Sequence, residues 1–199
     1  MNEIVKYIVK KGGYAKMKEL RNAGFHPREI RKLVDENIIE KVKAGLYKIW
    51  ESVDDSRINP GYLDICKSNE RAVICLSSAI AFHELSTVNP AQINAALPKS
   101  EKPPKISYPP VKFFFWEKSI YETGIIKIKT KSGIVKIYNK EKTVCDMFRY
   151  RDKLGEDIAF ESLKNYLSLK EADLNKLRKY SEKLRIKTVL QPYIKAIVG

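Results

Sequence analysis

In the stretch "GFHPREIRKLVDENIIEKVKAGLYKI", residues 24–49, the spacing of the apolar residues changes half way along. Pro27 suits the first turn of a helix, where its missing N–H would have no intrahelical partner. The apolar residues that follow it at helical spacing are Ile30, Leu33 and Val34. Two β-like segments come next, "IIEKV" and "LYKIW", with Gly45 between them able to adopt positive φ. The stretch therefore predicts a helix followed by a hairpin.

The predicted helix carries cations on its outer face. The outward positions, at offsets of three, four and seven residues, are Arg28, Arg31, Lys32 and Asp35. Two further lysines, Lys41 and Lys43, fall in the predicted hairpin. A basic helix followed by a basic hairpin is typical of a winged helix-turn-helix, in which the helix enters the major groove and the hairpin follows the DNA backbone.

The same pattern has an alternative interpretation, a small helix and hairpin module that contacts proteins and leaves its cations solvated. Glu29, Asp35 and Glu36 favour this alternative, because carboxylates repel phosphate and limit the part of the helix that can face DNA. Upstream, the segments "NEIVKYIVK" and "YAKMKELRNAG" have helical periodicity and fit either interpretation.

Composition favours a polyanionic partner. The chain contains 38 Lys and Arg against 24 Asp and Glu, for a net charge of +14 and a pI near 9.6, and such a balance favours nucleic acid. The first 50 residues hold 12 cationic and 6 acidic side chains, the highest positive charge per residue in the chain. Lysine also serves solubility, so the placement of the charge matters more than its sum.

Residues suited to catalysis or metal binding are few. His26 and His83 are the only histidines, and His83 lies among apolar residues of a predicted helix, where a packing role is expected. Cys66, Cys75 and Cys145 form no CxxC pair, which argues against a zinc site and against a disulfide framework. The chain also lacks a Gly-rich phosphate loop and the acidic-any-Lys pattern of restriction-type nucleases. We therefore predict that the protein is not an enzyme and binds no metal or cofactor.

Localisation follows from what the sequence lacks. The amino terminus has no apolar core of a signal peptide, and no run of about 18 apolar residues could cross a membrane. Three scattered cysteines suit a reducing compartment. These features predict a soluble, cytoplasmic protein that does not associate with membranes.

The rest of the chain predicts a second domain. The acidic segment 51–59 indicates a linker, which gives predicted domains at residues 1–56 and 57–199. Strand-like segments dominate 72–138, and helical ones dominate 139–199. The predicted fold class is α+β, an N-terminal winged helix-turn-helix followed by a mixed α/β domain that ends in a helical bundle.

Two segments of this second domain allow more specific structural predictions. The segment "KFFFWEK", residues 112–118, could stack single-stranded nucleic acid, but apolar residues on both faces better fit a strand covered on both sides. The segment "SLKEADLNKLRKYSEK" is predicted to form a helix that opens on a capping box of Ser168 and Glu171.

Taken together, these segments resemble the antitoxins of AbiE-type toxin–antitoxin systems over nearly the whole chain. The resemblance lies in the helix-turn-helix with its "KAGLYKI" hairpin and in segments similar to "SSAIAFHEL" and "ALPKSEKPP". Its most specific part is "NKEKTVCDMFRYRDKLGEDIAFESLKNYL" with the closing "RIKTVLQPYIKAI". One position differs, since this chain has His26-Pro27 where the family often has a serine before the recognition helix.

The resemblance implies an AbiEi-like antitoxin that binds double-stranded DNA at inverted repeats in its own promoter and represses its operon. It also implies that the chain counters a nucleotidyltransferase-like toxin, by direct contact or functionally. In this interpretation Arg28, Arg31 and Lys32 address the major groove, while Lys41 and Lys43 neutralise phosphate. A candidate antitoxin surface lies in the matching helical region, at Asp146, Arg149, Tyr150, Arg151 and Asp157, with Tyr138 nearby. The alternative is a stand-alone winged-helix regulator whose C-terminal domain senses a signal or dimerises.

Overall fold

The computed structural model describes residues 2–49 and 58–198, which fall into two compact units. The first unit comprises Met1–Glu70, Lys102–Pro110 and Ile128–Val135, and the second comprises Arg71–Glu101, Val111–Lys127 and Lys136–Gly199. Trp50 and residues 51–57 lie outside the described residues, and with them the predicted domain boundary and most of the predicted linker.

The first unit opens with alternating helices and short strands. In chain order these are α1 (Glu3–Lys10), β1 (Tyr14–Lys16), α2 (Met17–Asn22), α3 (Pro27–Asp35), β2 (Glu40–Lys43), β3 (Leu46–Lys48) and α4 (Pro60–Ser68). Strand β3 lies between β1 and β2 and is antiparallel to both. The helix after Pro27 and the hairpin are where the sequence predicts them, whereas the sequence gives no sign of β1, which fell inside a predicted helix.

Helices α1, α2 and α3 share one apolar core with strands β1 and β3. Each of these helices presents apolar side chains inward, and the fully buried side chains of this core include Ile8, Leu20, Ile30 and Ile39. Burying an aliphatic side chain of this size contributes about 1.5–3 kcal/mol relative to leaving it exposed. The stripe on α3 therefore fixes which of its faces remains in solvent.

A second sheet has five strands. These are β4 (Val73–Ile74), β5 (Ile93–Pro98), β6 (Val111–Trp116), β7 (Ile125–Thr130) and β8 (Gly133–Tyr138), in the spatial order β6-β5-β4-β8-β7. Strand β5 is antiparallel to β4 and parallel to β6, and β4 is parallel to β8. The expectation that β6 would be covered on both faces is wrong, because Phe115 on one face of this strand is 42% exposed.

Seven helices complete the described part of the second unit. They are α5 (Leu76–Phe82), α6 (Lys118–Tyr121), α7 (Lys140–Arg149), α8 (Arg151–Leu154), α9 (Glu156–Leu167), α10 (Leu174–Lys183) and α11 (Lys187–Val198). Helix α7 packs against α5, α9, α10 and α11, and its residues 141–148 are all buried. The fold class is thus α+β, as predicted.

The start of α10 departs from the prediction. The helix begins at Leu174, and its N-cap is Asp173, whose carboxylate accepts from the Lys176 amide at 2.8 Å. The predicted capping box of Ser168 and Glu171 is therefore wrong. Tyr166 explains the difference, because its hydroxyl bonds both the amide and the carbonyl of Asp173 and so fixes the chain at that point.

Candidate nucleic-acid interface and buried charge cluster

Helix α3 starts on a complete capping arrangement. The Nδ1 atom of His26 accepts from the Arg28 amide at 3.2 Å, and the Glu29 carboxylate accepts from the His26 amide at 3.0 Å. His26 thus performs the capping that a serine or threonine hydroxyl usually provides. Glu29 accepts a hydrogen bond in this cap, and its negative charge interacts favourably with the positive end of the helix dipole.

The outer face of α3 is basic and open to solvent. The predicted residues Arg28, Arg31 and Lys32 are all exposed, on the side of the helix opposite the buried Ile30 and Leu33. Lys32 makes a long ion pair with Glu36, at 3.8 Å, which is exposed and therefore worth little. Asp35 is exposed too, so the face is mostly but not wholly cationic.

Burial raises the pKa of the Tyr47 hydroxyl on β3, and the Arg31 guanidinium of α3 opposes that rise.

The two hairpin lysines differ in the structure. Lys41 is exposed, whereas the Lys43 ammonium donates to the carbonyl of Ser68 on α4 at 2.6 Å and is half-buried. Gly45 adopts φ 76° in the turn that joins β2 to β3, as expected for a tight hairpin. Lys41 is therefore better placed than Lys43 to reach a phosphate.

The first unit also contains a buried polar cluster that the sequence did not indicate. Asp64 of α4 accepts from the Tyr14 hydroxyl and from the Lys48 ammonium, both at 2.7 Å. Asp64 is almost fully buried, and Lys48 also lies 3.4 Å from Glu40. Both strands β1 and β3 are thereby linked to α4. No local pattern in the sequence relates these three residues, since they lie far apart in the chain.

In the second unit, the candidate antitoxin residues do not form a single surface. Asp146 and Tyr138 are fully buried, Arg149, Tyr150 and Arg151 are partly buried, and Asp157 is exposed. The assignment of Asp146 to a surface is therefore wrong. The physical reason is that Asp146 has two cationic partners, Lys142 four residues before it and Arg149 three residues after it. Their positive charges offset the free-energy cost of removing the Asp146 carboxylate from water.

These three charged residues form the centre of a cluster with an aromatic wall. The Lys142 ammonium bonds the Asp146 carboxylate and lies 4.3 Å from the centre of the Trp116 ring and 4.4 Å from that of Tyr138. Arg149 bonds the other oxygen of Asp146 at 2.9 Å. Burial lowers the pKa of Lys142, and the Asp146 carboxylate opposes this. We call Lys142, Asp146, Arg149, Trp116 and Tyr138 the buried charge cluster.

Two other residues support the buried charge cluster. Gly124 adopts φ 77°, and a Cβ there would lie 2.7 Å from the Cβ of Lys142, so only glycine fits. His83 Nε2 donates to the Tyr138 carbonyl at 2.7 Å, since a carbonyl can only accept. Burial lowers the pKa of His83. Its contacts agree with the packing role expected from the sequence.

The described residues offer little else for chemistry. Among residues 2–49 and 58–198, no group of three His, Cys, Asp or Glu side chains is arranged to hold a metal ion. Within the same residues, no helix combines the length and apolar character needed to span a membrane.

Comparison with known proteins adds no functional identity. No protein-family model matches the chain, and no curated protein matches it significantly. Among solved structures it is similar to the crystal structure of the RV2827C protein from Mycobacterium tuberculosis, with 12% sequence identity and a TM-score of 0.49. That alignment covers 96% of this chain and 79% of the other. A likeness at this level carries no statement about function.

Proposed function

We propose that the chain is a winged helix-turn-helix protein that binds duplex DNA through α3 and represses transcription from its own promoter. The observation that carries the proposal is the division of α3 into two faces. Ile30 and Leu33 anchor one face in the core, and the opposite face displays Arg28, Arg31 and Lys32 to solvent. Cations on an anchored helix can approach base edges with little loss of conformational entropy.

The order of elements in the first unit supports the same proposal. A helix, a strand, two helices and a two-stranded hairpin follow one another, and the first strand joins the hairpin to make a three-stranded sheet. In a winged helix-turn-helix this arrangement presents the last helix to the major groove and the hairpin to the backbone. Lys41 in the hairpin supplies an exposed cation for the second role.

We extend the proposal to an antitoxin of the AbiE type, on the sequence resemblance of residues 139–199. Its test is co-expression with the adjacent gene, with growth and co-purification both measured. Growth arrest by the neighbouring product that this chain relieves would support the antitoxin function. An adjacent gene without toxicity, combined with promoter binding, would instead favour the stand-alone regulator.

Replacing Arg31 by Ala should weaken binding to operator DNA by about 1–3 kcal/mol while changing binding to random duplex little. The reason is that Arg31 lies in the middle of the exposed face of α3, where a guanidinium can reach a base edge. Fluorescence anisotropy on the two duplexes measures the difference, with circular dichroism to check the fold. Equal losses on operator and random DNA would mean that α3 does not read bases.

Replacing Lys41 by Ala should weaken binding to the operator and random duplexes equally. It should also reduce the slope of log affinity against log salt concentration by about one unit. Lys43→Ala is the matched control, because the Lys43 ammonium already donates to the Ser68 carbonyl. We expect Lys43→Ala to change the salt slope less than Lys41→Ala does. If the Lys41 variant and the unmodified protein show the same salt slope, the hairpin does not contact the DNA backbone through Lys41.

A further inference from the structure

The buried charge cluster contains more positive than negative charge. Lys142 and Arg149 share a single carboxylate, that of Asp146. Among the described residues, Asp146 is the only acidic side chain within ion-pair distance of either cation. Two cations against one carboxylate in a region of low dielectric constant leave one positive charge without a neutralising partner, which is costly unless an anion is supplied.

Solvent reaches this cluster at one residue. Lys142 and Asp146 are fully buried, whereas the side chain of Arg149 is 18% exposed. One of its terminal nitrogens bonds Asp146, and the other N–H groups of the guanidinium fork remain for a second partner. An anion from solution would therefore meet the cluster at Arg149.

The groups beside Arg149 are donors and aromatic rings. The Tyr150 hydroxyl accepts from the Trp116 indole N–H at 2.9 Å, which leaves its own hydrogen to donate to a further acceptor. The Arg149 guanidinium lies 5.7 Å from the centre of the Tyr150 ring. The Phe114 ring packs edge-on against Tyr150, and the exposed Lys112 places its ammonium 5.5 Å from the centre of Phe114. A second cation, Lys112, therefore lies beside the aromatic ring that contacts Tyr150.

We propose that Arg149 and the Tyr150 hydroxyl form a binding site for a phosphate group. A guanidinium fork pairs two phosphate oxygens at once, and a hydroxyl donor completes the contacts of a tetrahedral anion. The unneutralised charge of the cluster and Lys112 match the double negative charge of a phosphate better than the single charge of a carboxylate. The phosphate can belong to a free nucleotide or to the end of a nucleic-acid strand, and the half-buried rings of Phe114 and Tyr150 would contact a base in either case.

Isothermal titration of the full chain with inorganic pyrophosphate tests the phosphate site. Arg149→Gln should weaken pyrophosphate binding about tenfold or more, the loss expected for a charge-assisted hydrogen-bonded pair. Arg151→Gln is the matched control, because Arg151 is similarly placed, 28% exposed, and its charge is already met by Asp152 at 3.8 Å. The control should change the affinity less than about twofold. Adenosine triphosphate and a 5′-phosphorylated single strand, titrated in parallel, show which source of phosphate binds more tightly.

Folding provides a second readout. Arg149→Gln leaves Asp146 paired with Lys142, so its melting temperature should equal or exceed that of the unmodified protein when no ligand is present. Arg149→Lys keeps the charge but loses the fork, and its affinity for pyrophosphate should fall between those of the Gln variant and the unmodified protein. No pyrophosphate binding, or the same loss in the Arg149 and Arg151 variants, would overturn the proposal. The variants leave the residues of α3 unchanged, so the test of the phosphate site can fail or succeed independently of the test of DNA binding by α3.

Discussion

Replacing Asp146 by Ala should lower the free energy of unfolding of the second unit by about 3–5 kcal/mol. The substitution removes the carboxylate that pairs with Lys142, which is fully buried, and with Arg149, whose side chain is 18% exposed. An ammonium without a partner in a low-dielectric interior costs far more than the lost hydrogen bond itself. Urea unfolding followed by tryptophan fluorescence measures the change, since Trp116 lines the cluster.

The rescue experiment for Asp146 removes both buried charges together. Lys142→Met combined with Asp146→Leu replaces an ion pair by apolar side chains of similar length, and such exchanges are often neutral or stabilising. The double variant should therefore recover the part of the lost stability that is due to the unpaired, fully buried Lys142, while Arg149, whose side chain is 18% exposed, keeps contact with solvent. If Asp146→Ala unfolds at the same urea concentration as the unmodified protein, the Lys142–Asp146 contact does not hold the second unit together.

Replacing Asp64 by Ala should destabilise the first unit by about 3 kcal/mol. The Asp64 carboxylate accepts from Tyr14 and Lys48 in a buried setting, so its loss removes one acceptor from a buried hydroxyl and one carboxylate from a buried ammonium. We expect a value near the lower end for a broken buried pair, because Lys48 keeps Glu40 at 3.4 Å. Far-ultraviolet circular dichroism during thermal unfolding measures the effect.

The control for Asp64 is Glu3→Ala, which removes an exposed ion pair with Lys6 at 2.7 Å. Exposed pairs contribute about 0–1 kcal/mol, so this variant should unfold close to the unmodified protein. Similar small losses in both variants would show that the buried position of Asp64 confers no special stability.

Local pattern was sufficient to predict α3 and its hairpin. The spacing of Ile30, Leu33 and Val34 fixes which side of the helix is buried, and the exposure of Arg28 and Arg31 follows from the same geometry. Strand β1 is different, because three residues show no measurable periodicity and pair only with a strand more than 25 residues away. Its existence depends on β3, so the sequence around Tyr14 alone does not indicate it.

The charged residues of the second unit show why exposure is hard to predict. Aspartate is seldom buried, so an acidic residue within a helix is ordinarily expected at the surface. The spacing in "KTVCDMFR" did carry a signal, since Lys142 and Arg149 stand four residues before and three residues after Asp146 on one helical face. The local pattern does not show that the rings of Trp116 and Tyr138 contact Lys142, because these residues lie on other elements and approach α7 only in the folded chain. Similarly, the bond between Lys43 and Ser68 joins two elements whose contact no local pattern reveals.

The affinity of the full chain for the duplex upstream of its own gene tests whether the exposed face of α3 binds duplex DNA with sequence preference. Anisotropy titrations at several salt concentrations, with random duplex of the same length as the reference, provide it. We predict tighter binding to the upstream duplex by a factor of about a thousand or more. The logarithm of affinity should also fall steeply with the logarithm of salt concentration, by about 0.9 for each phosphate neutralised. Equal affinity for the two duplexes, or an affinity that does not change with salt, would contradict the assignment of α3 as a DNA-reading helix.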